Sequence, residues 1–483
     1  MKTKLQNKVQ LITYPDSLGG DLKNLKLFLD THLKEVIGGI HILPFYPSSA
    51  DRGFAPLTHL EVEPFFGNWG DIKAISAEYD LVADFTVNHL SSESHQFQDY
   101  IEQGEDSKYK DMFLTKEKFF ARYGVGDESL EHIYRPRPGL PFTKMTFVDG
   151  IDRQVWTSWT PGQIDLDVEA GKTREMHKEA IEWLAMHGVK LIRLDAVGYC
   201  VKRPCTSCFM LPETFEYMRW LREQTPADTE LLAEIHDAPE RQLEILKHNC
   251  VEWVYDFSLP FLTVNAIRTK HVGYLVNWIE QRSPRMITNL DTHDGIGVID
   301  VAGLLPDMEI DDTIAWIEEQ GANQSVRASG KNAENLDVYQ VNCTYYSAVH
   351  ENDDAYILAR ALQLFLPGIP QVYYVGLLAG TNDYETLGKT MHGRDINRHN
   401  YAWEEAQADI QKPVVQRLLK LMKLRSNHPA FSGEFSYEQP SAHELLLSWK
   451  TNTTTVTAHL NFMTYTTTIQ EFSADNLDNT YEL

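Results

Sequence analysis

The segments DFTVNH (84–89), RLDAV (193–197), AEIH (233–236) and DTHDG (291–295) set Asp, Glu, Arg and His side chains at the ends of apolar runs. Asp84 and Arg193 have the types of a buried structural ion pair. Asp195, Glu234 and Asp294 have few basic residues in their own motifs to neutralise them, so ion pairing explains them poorly. Carboxyl groups gathered without such partners suit cleavage of a glycosidic bond. One carboxylate attacks, or organises attack, at the anomeric carbon, and a protonated carboxyl delivers a proton to the leaving oxygen. A separation of about 5–5.5 Å makes the chemistry covalent, with retention. Crowding of like charges raises one pKa, and Glu234 is the expected holder of that proton. Spacing alone leaves open which carboxylate attacks.

These residues act together only if the fold brings them to one place. Eight apolar runs suited to buried parallel strands recur at 8–14, 39–45, 81–87, 190–196, 231–235, 253–257, 286–291 and 371–375. Their apolarity is continuous rather than alternating, as strands covered on both faces require. Helix candidates lie between them, such as Leu22 to Leu33 behind the cap Asp21, and Thr173 to His187, stopped by Gly188. The alternation predicts an α/β fold, a (β/α)8 TIM barrel, with its chemistry at the C-terminal ends of the strands.

Loops from strand to helix are normally short, and two gaps here are long. They predict an inserted domain at 88–170, after strand three, and a second at 295–360, after strand seven. The barrel is then assembled from 1–87, 171–294 and 361–430. The Thr-rich, partly alternating stretch within 431–483 predicts a small C-terminal β domain.

A net charge of -25 opposes broad attraction to nucleic acid or an anionic membrane, so an anionic substrate needs a local cluster of Arg, Lys or His. The start MKTKLQNKVQLITYPD lacks the apolar core of an export signal, and the five cysteines suit reduced thiols; a cytoplasmic location is expected. Cys205 and Cys208 form a C-x-x-C, but no second pair completes a metal site.

Taken in order, the four segments resemble the signature regions of the α-amylase clan. GIHILPFYPSSADRGFAPLTH, IYRPRPGLPF, TSCFM, NLDVYQVN, PGIPQVYYVG and GRDINRH narrow the likeness to the sucrose phosphorylase family, over almost the entire chain. The resemblance implies that Asp195 is the nucleophile, Glu234 the general acid/base and Asp294 the transition-state stabiliser. It implies that His89 and His293 bind sugar hydroxyls, that Arg193 orients the nucleophile, and that Asp51 and Arg398 clamp the far side of a glucose. Phe54 is then an aromatic platform, with Gln163 and Tyr199 on the acceptor side.

In the loop Tyr134-Arg135-Pro136-Arg137-Pro138, Arg137 is implied to bind phosphate, a role that the planar guanidinium fork suits. Tyr339 and Gln340 join it, His236 assists, and Asp337 serves an alternative arrangement for fructose, the two exchanging by loop movement. The implied small-molecule partners are sucrose and phosphate, with α-D-glucose 1-phosphate and fructose as products and neither cofactor nor metal. Related phosphorylases of sucrose 6′-phosphate, glucosylglycerol or glucosylglycerate share the motifs. A sucrose hydrolase or transglucosidase and a non-catalytic transporter subunit are the other readings. Two positions depart from the family pattern: Val338 in the D-x-Y-Q loop and Asn400 after INRH. Dimers occur in the family, and a homodimer is left open.

Overall fold

Eight short, buried strands close into a parallel barrel in the computed structural model, which describes residues 3–329, 335–473 and 476–483. They are β1 (Gln10–Thr13), β2 (Gly39–Ile42), β3 (Asp80–Thr86), β4 (Val189–Asp195), β5 (Glu230–Ala233), β6 (Trp253–Asp256), β7 (Met286–Thr288) and β8 (Ile369–Tyr373). Each pairs with its neighbours in sequence, and β8 pairs with β1. Both faces are covered, the inner by side chains and the outer by helices, which is why the apolar runs do not alternate.

The helix Leu22–Phe28 begins where the Asp21 carboxylate accepts from the Asn24 N–H at 2.8 Å, and it widens into a π-type turn over Leu29–Leu33. The helix Gly171–Met186 ends just before Gly188, whose φ of +91° is left-handed and favours glycine. Inside the barrel the Asp84 carboxylate on β3 meets His41 Nε2 on β2 at 2.7 Å and Arg193 on β4, so a buried charge has two partners.

Residues 88–170 carry two small antiparallel ladders, His89–Ser91 with Gln163–Asp165 and Phe142–Thr146 with Asp152–Trp156. They enclose an apolar cluster of their own around Phe97, Tyr100 and Phe113. Lys202, beyond β4, ties this region to the barrel: its ammonium lies 2.8 Å from the Asp165 carboxylate and 2.8 Å from Asn88 Oδ1, all buried.

After β7 a three-stranded antiparallel sheet forms from Ile296–Gly297, Asn335–Asn342 and Asn323–Ser329. Ser325 pairs with Gln340 but Val326 with Val338, so Tyr339 is an extra residue in a bulge. A bulge re-aims a side chain, and this one sets Tyr339 against the barrel rim.

The C-terminal sheet runs β9 (Glu434–Ser441), β10 (Glu444–Lys450), β11 (Thr454–Asn461), β12 (Thr466–Ser473) and β13 (Asn476–Glu482), each antiparallel to the next. Leu445, Leu447 and Trp449 alternate inward from β10, and Trp449 Nε1 donates to the Phe365 carbonyl at 2.7 Å at the end of the helix Asp353–Phe365. Among the described residues no helix is long and apolar enough to cross a membrane.

Candidate active site

Asp195 is the last residue of β4, opposite Thr86 of β3, and Glu234 follows the last residue of β5. Immediately after Asp195 the chain breaks from extended geometry: Ala196 takes a φ of +52°, an unfavourable conformation for a residue with a β-carbon. That turn aims the Ala196 N–H at Glu234 Oε2, 3.1 Å away, so the two carboxyl groups are fastened to adjacent strand ends. Arg193 Nη1 donates to Asp195 Oδ1 at 2.7 Å while also holding Asp84, fixing the inner face of Asp195.

These groups open on a cavity of about 230 Å³ at the C-terminal end of the barrel. Asp51, Phe54, His89, Gln163, His293 and Asp294 line one part of it. The Phe54 ring stacks on the His293 imidazole with centroids 4.7 Å apart and planes 6° from parallel. Gln163 Nε2 donates to the Phe54 carbonyl at 2.9 Å, and His89 Nε2 lies 2.8 Å from the same oxygen. Phe54 is therefore held by its backbone as well as by its ring.

Two arginines close the far side. Arg398 Nη1 stands 3.3 Å from Asp51 Oδ1, and its Nε donates to the His293 carbonyl at 2.8 Å. Arg394 donates to Asp294 Oδ1 at 2.5 Å and to Asp51 Oδ2 at 3.2 Å. It lines the cavity, whereas Arg398 is buried behind it. Sequence reasoning overlooked Arg394, although it is the second residue of the GRDINRH segment, four residues before Arg398.

Arg137, Thr160, His236, Ser325, Tyr339 and Gln340 line the remaining wall with Trp159. The Arg137 guanidinium is braced by the Thr157 carbonyl at 2.6 Å. His236 Nδ1 bonds the buried Asp300 carboxylate at 2.7 Å, and its Nε2 faces Gln340 at 3.2 Å and Glu234 at 3.7 Å. Asp300 too went unnoticed in the sequence, since nothing local marks its distance to His236. Tyr134 and Tyr199 stand off the cavity wall, near-parallel at 6.0 Å beside Phe209. Asp337 is exposed, outside the cavity, and ion-paired with Arg327 at 3.3 Å.

The electrostatics separate the carboxylates. Burial pushes Asp195 up to about 8; Arg193 opposes that rise, and Glu234 and Asp84 add to it. A carboxyl at this rim is thus raised as expected of a crowded, buried site, and it is Asp195. Burial also favours a neutral Asp294, but the Arg394 and Arg398 guanidiniums outweigh it and hold the carboxyl well below its usual range. Burial opposes a charged His236, yet Asp300, then Glu234 and Asp294, raise it to about 9. His293, buried, is pushed down to about 3 and stays neutral. Glu234, His236 and Asp294 place potential metal-ligand atoms within 4.8 Å of one another. Asp300 behind His236 and Arg394 on Asp294 already answer two of the three.

Barrel and rim carboxylates together define an α-amylase-type enzyme, and the family model described as "Alpha amylase, catalytic domain" matches residues 12–248. The chain is 46% identical to the glucosylglycerol phosphorylase of Marinobacter adhaerens, covering 92% of this chain and 92% of that protein. It is 45% identical to the sucrose phosphorylase of Bifidobacterium adolescentis, covering 94% of this chain and 92% of the relative. The solved sucrose 6F-phosphate phosphorylase of Thermoanaerobacter thermosaccharolyticum superposes with a TM-score of 0.95 at 42% identity, over 99% of each chain. The chain belongs to the sucrose phosphorylase family of the α-amylase clan.

Proposed function

We propose that the protein is a sucrose phosphorylase, converting sucrose and phosphate to α-D-glucose 1-phosphate and fructose by double displacement with retention. The observation that carries this reading is the convergence of Arg137, His236, Tyr339 and Gln340 on the cavity that holds Asp195 and Glu234. In a chain of net charge -25, a guanidinium and a cationic imidazole beside the reacting centre form the local receiver that a phosphate needs.

Glucose sits against Phe54, with Asp51, Arg394, Asp294, His89 and His293 taking its hydroxyls and Arg398 supporting Asp51 from behind. Glu234 gives its proton to the fructosyl oxygen as Asp195 attacks the anomeric carbon; the C–O bond to fructose breaks and an ester to Asp195 forms. The chemistry needs one proton on the Asp195–Glu234 pair, held at Glu234 when Asp195 attacks. Phosphate then displaces the Asp195 carboxylate, its own proton passing to Glu234, and two inversions give net retention. No step calls for a cofactor or metal. The glucose pocket is closed at its far end by arginine–aspartate contacts of Arg394 and Arg398, which suits a single sugar ring rather than a chain.

A second reading rests on the identity to glucosylglycerol phosphorylase, which equals that to sucrose phosphorylase within one per cent. There the chemistry is unchanged and glycerol replaces fructose as the leaving group. Phosphorolysis of sucrose, glucosylglycerol and sucrose 6′-phosphate, compared by kcat/KM at one phosphate concentration, separates the two. Sucrose is expected to give the highest value; a tenfold preference for either other donor overturns the assignment.

A further inference from the structure

Asp337 and Tyr339 lie two residues apart on the strand Asn335–Asn342, yet only Tyr339 faces the cavity. Two features account for the difference. The bulge opposite Ser325 and Val326 turns Tyr339 inward, and Arg327 on the facing strand, directly across from Asp337 in the ladder, ion-pairs with its carboxylate at 3.3 Å. The same guanidinium lies 5.8 Å from the centroid of the Tyr134 ring, on the loop that carries Arg137. Arg327 therefore touches both segments that frame the acceptor wall without lining it.

We propose that Arg327 is a positioning residue that pins Asp337 outside the cavity and so keeps the acceptor wall receptive to phosphate. An Asp337 carboxylate turned into this cavity would join Asp195, Glu234 and Asp294 and repel an incoming dianion. The cross-strand pair opposes that turn. Side-chain exposures of 26% for Arg327 and 57% for Asp337 keep the pair weak. Its leverage is that of a partly solvated ion pair, a factor of roughly three to five in how firmly Asp337 is held outside the cavity. The inference rests on phosphate being the acceptor, as proposed above.

The test is a double-mutant cycle read in the KM for phosphate, with the KM for sucrose and kcat followed alongside. Arg327→Ala is expected to raise the phosphate KM roughly three- to fivefold while changing the sucrose KM less than twofold. Arg327→Lys, which keeps the charge, should stay within about twofold of the parent. Adding Asp337→Ala to Arg327→Ala should return the phosphate KM to near the parent value, because no carboxylate is left to intrude. A phosphate KM that does not rise in Arg327→Ala, or that stays raised in the double variant, overturns the proposal; the latter outcome would make Arg327 a direct ligand of phosphate.

Calorimetric titration of inorganic phosphate into the same proteins reports the same ordering without turnover. That ordering in a chain inactive on sucrose would sink the donor assignment and leave the pin standing. Sucrose phosphorolysis without the ordering would do the reverse, and absence of phosphate binding in every variant would remove both.

Discussion

Arg394 Nη1 donates to Asp294 Oδ1 at 2.5 Å while its other terminal nitrogen stands 3.2 Å from Asp51 Oδ2, so one guanidinium bridges a carboxylate that follows β7 and one that follows β2. Breaking a partly buried ion pair leaves two carboxylates uncompensated at the cavity, which costs more than the pair contributes to stability. Arg394→Ala is therefore expected to lower kcat/KM for sucrose roughly 100-fold or more, with Arg394→Lys intermediate. A fall of less than about threefold in steady-state kinetics would show that Asp294 and Asp51 keep their geometry without it.

Glu234 and Asp195 separate by leaving group. Glu234→Gln cannot protonate fructose and should lose sucrose turnover by at least about 1,000-fold, yet it should retain substantial turnover of α-glucosyl fluoride, whose leaving group needs no proton. Asp195→Asn should be inactive on both donors, since an amide is a poor nucleophile. Equal loss of both donors in Glu234→Gln would contradict its role as the acid.

The pH profile follows from the site's shared proton. Asp195 is raised to about 8, so the proton needed for the leaving group is present below that value and lost as pH rises through it. kcat/KM for sucrose should fall above a pH of about 8, and His236, raised to about 9, should add a later loss in phosphate affinity. A profile flat to a pH of about 10 would contradict both. Because the folded state holds this carboxyl proton more tightly than the unfolded chain, stability should also decline as pH rises from about 4 to 8. Asp195→Asn should remove that part of the decline, measured as Tm across the range.

Lys202 tests how the first insertion is anchored. Its ammonium is shared by Asp165 and Asn88, and Lys202→Met strands a buried carboxylate. The expected loss is about 3–5 kcal/mol in denaturant unfolding, partly recovered by adding Asp165→Asn. An unchanged midpoint would mean that the contact does not couple the insertion to the barrel.

The barrel was legible because doubly covered strands leave continuous apolar runs, and its rim chemistry because those runs end in Asp195, Glu234 and the DTHDG segment. The structural pairing of Asp84 with Arg193 was readable on the same ground. What escaped notice depends on distance in space between residues far apart in sequence. Arg394 reaches Asp294 across 100 residues, His236 meets Asp300 across 64, and Lys202 meets Asn88 across 114. That Asp195 is raised was not legible for a related reason: burial, unlike crowding, leaves no trace in the local motif. The outward position of Asp337 depends on a bulge that no residue type signals, since Val338 and Tyr339 suit a regular strand equally well.

The most direct test of the proposed chemistry is release of glucose 1-phosphate from sucrose with and without inorganic phosphate, with the anomer assigned by NMR and free glucose followed in the same samples. Phosphate-dependent formation of the α-anomer, with fructose in equal amount, is the predicted result. Free glucose at a rate indifferent to phosphate, or a β-anomer, would contradict the double displacement assigned to Asp195 and Glu234.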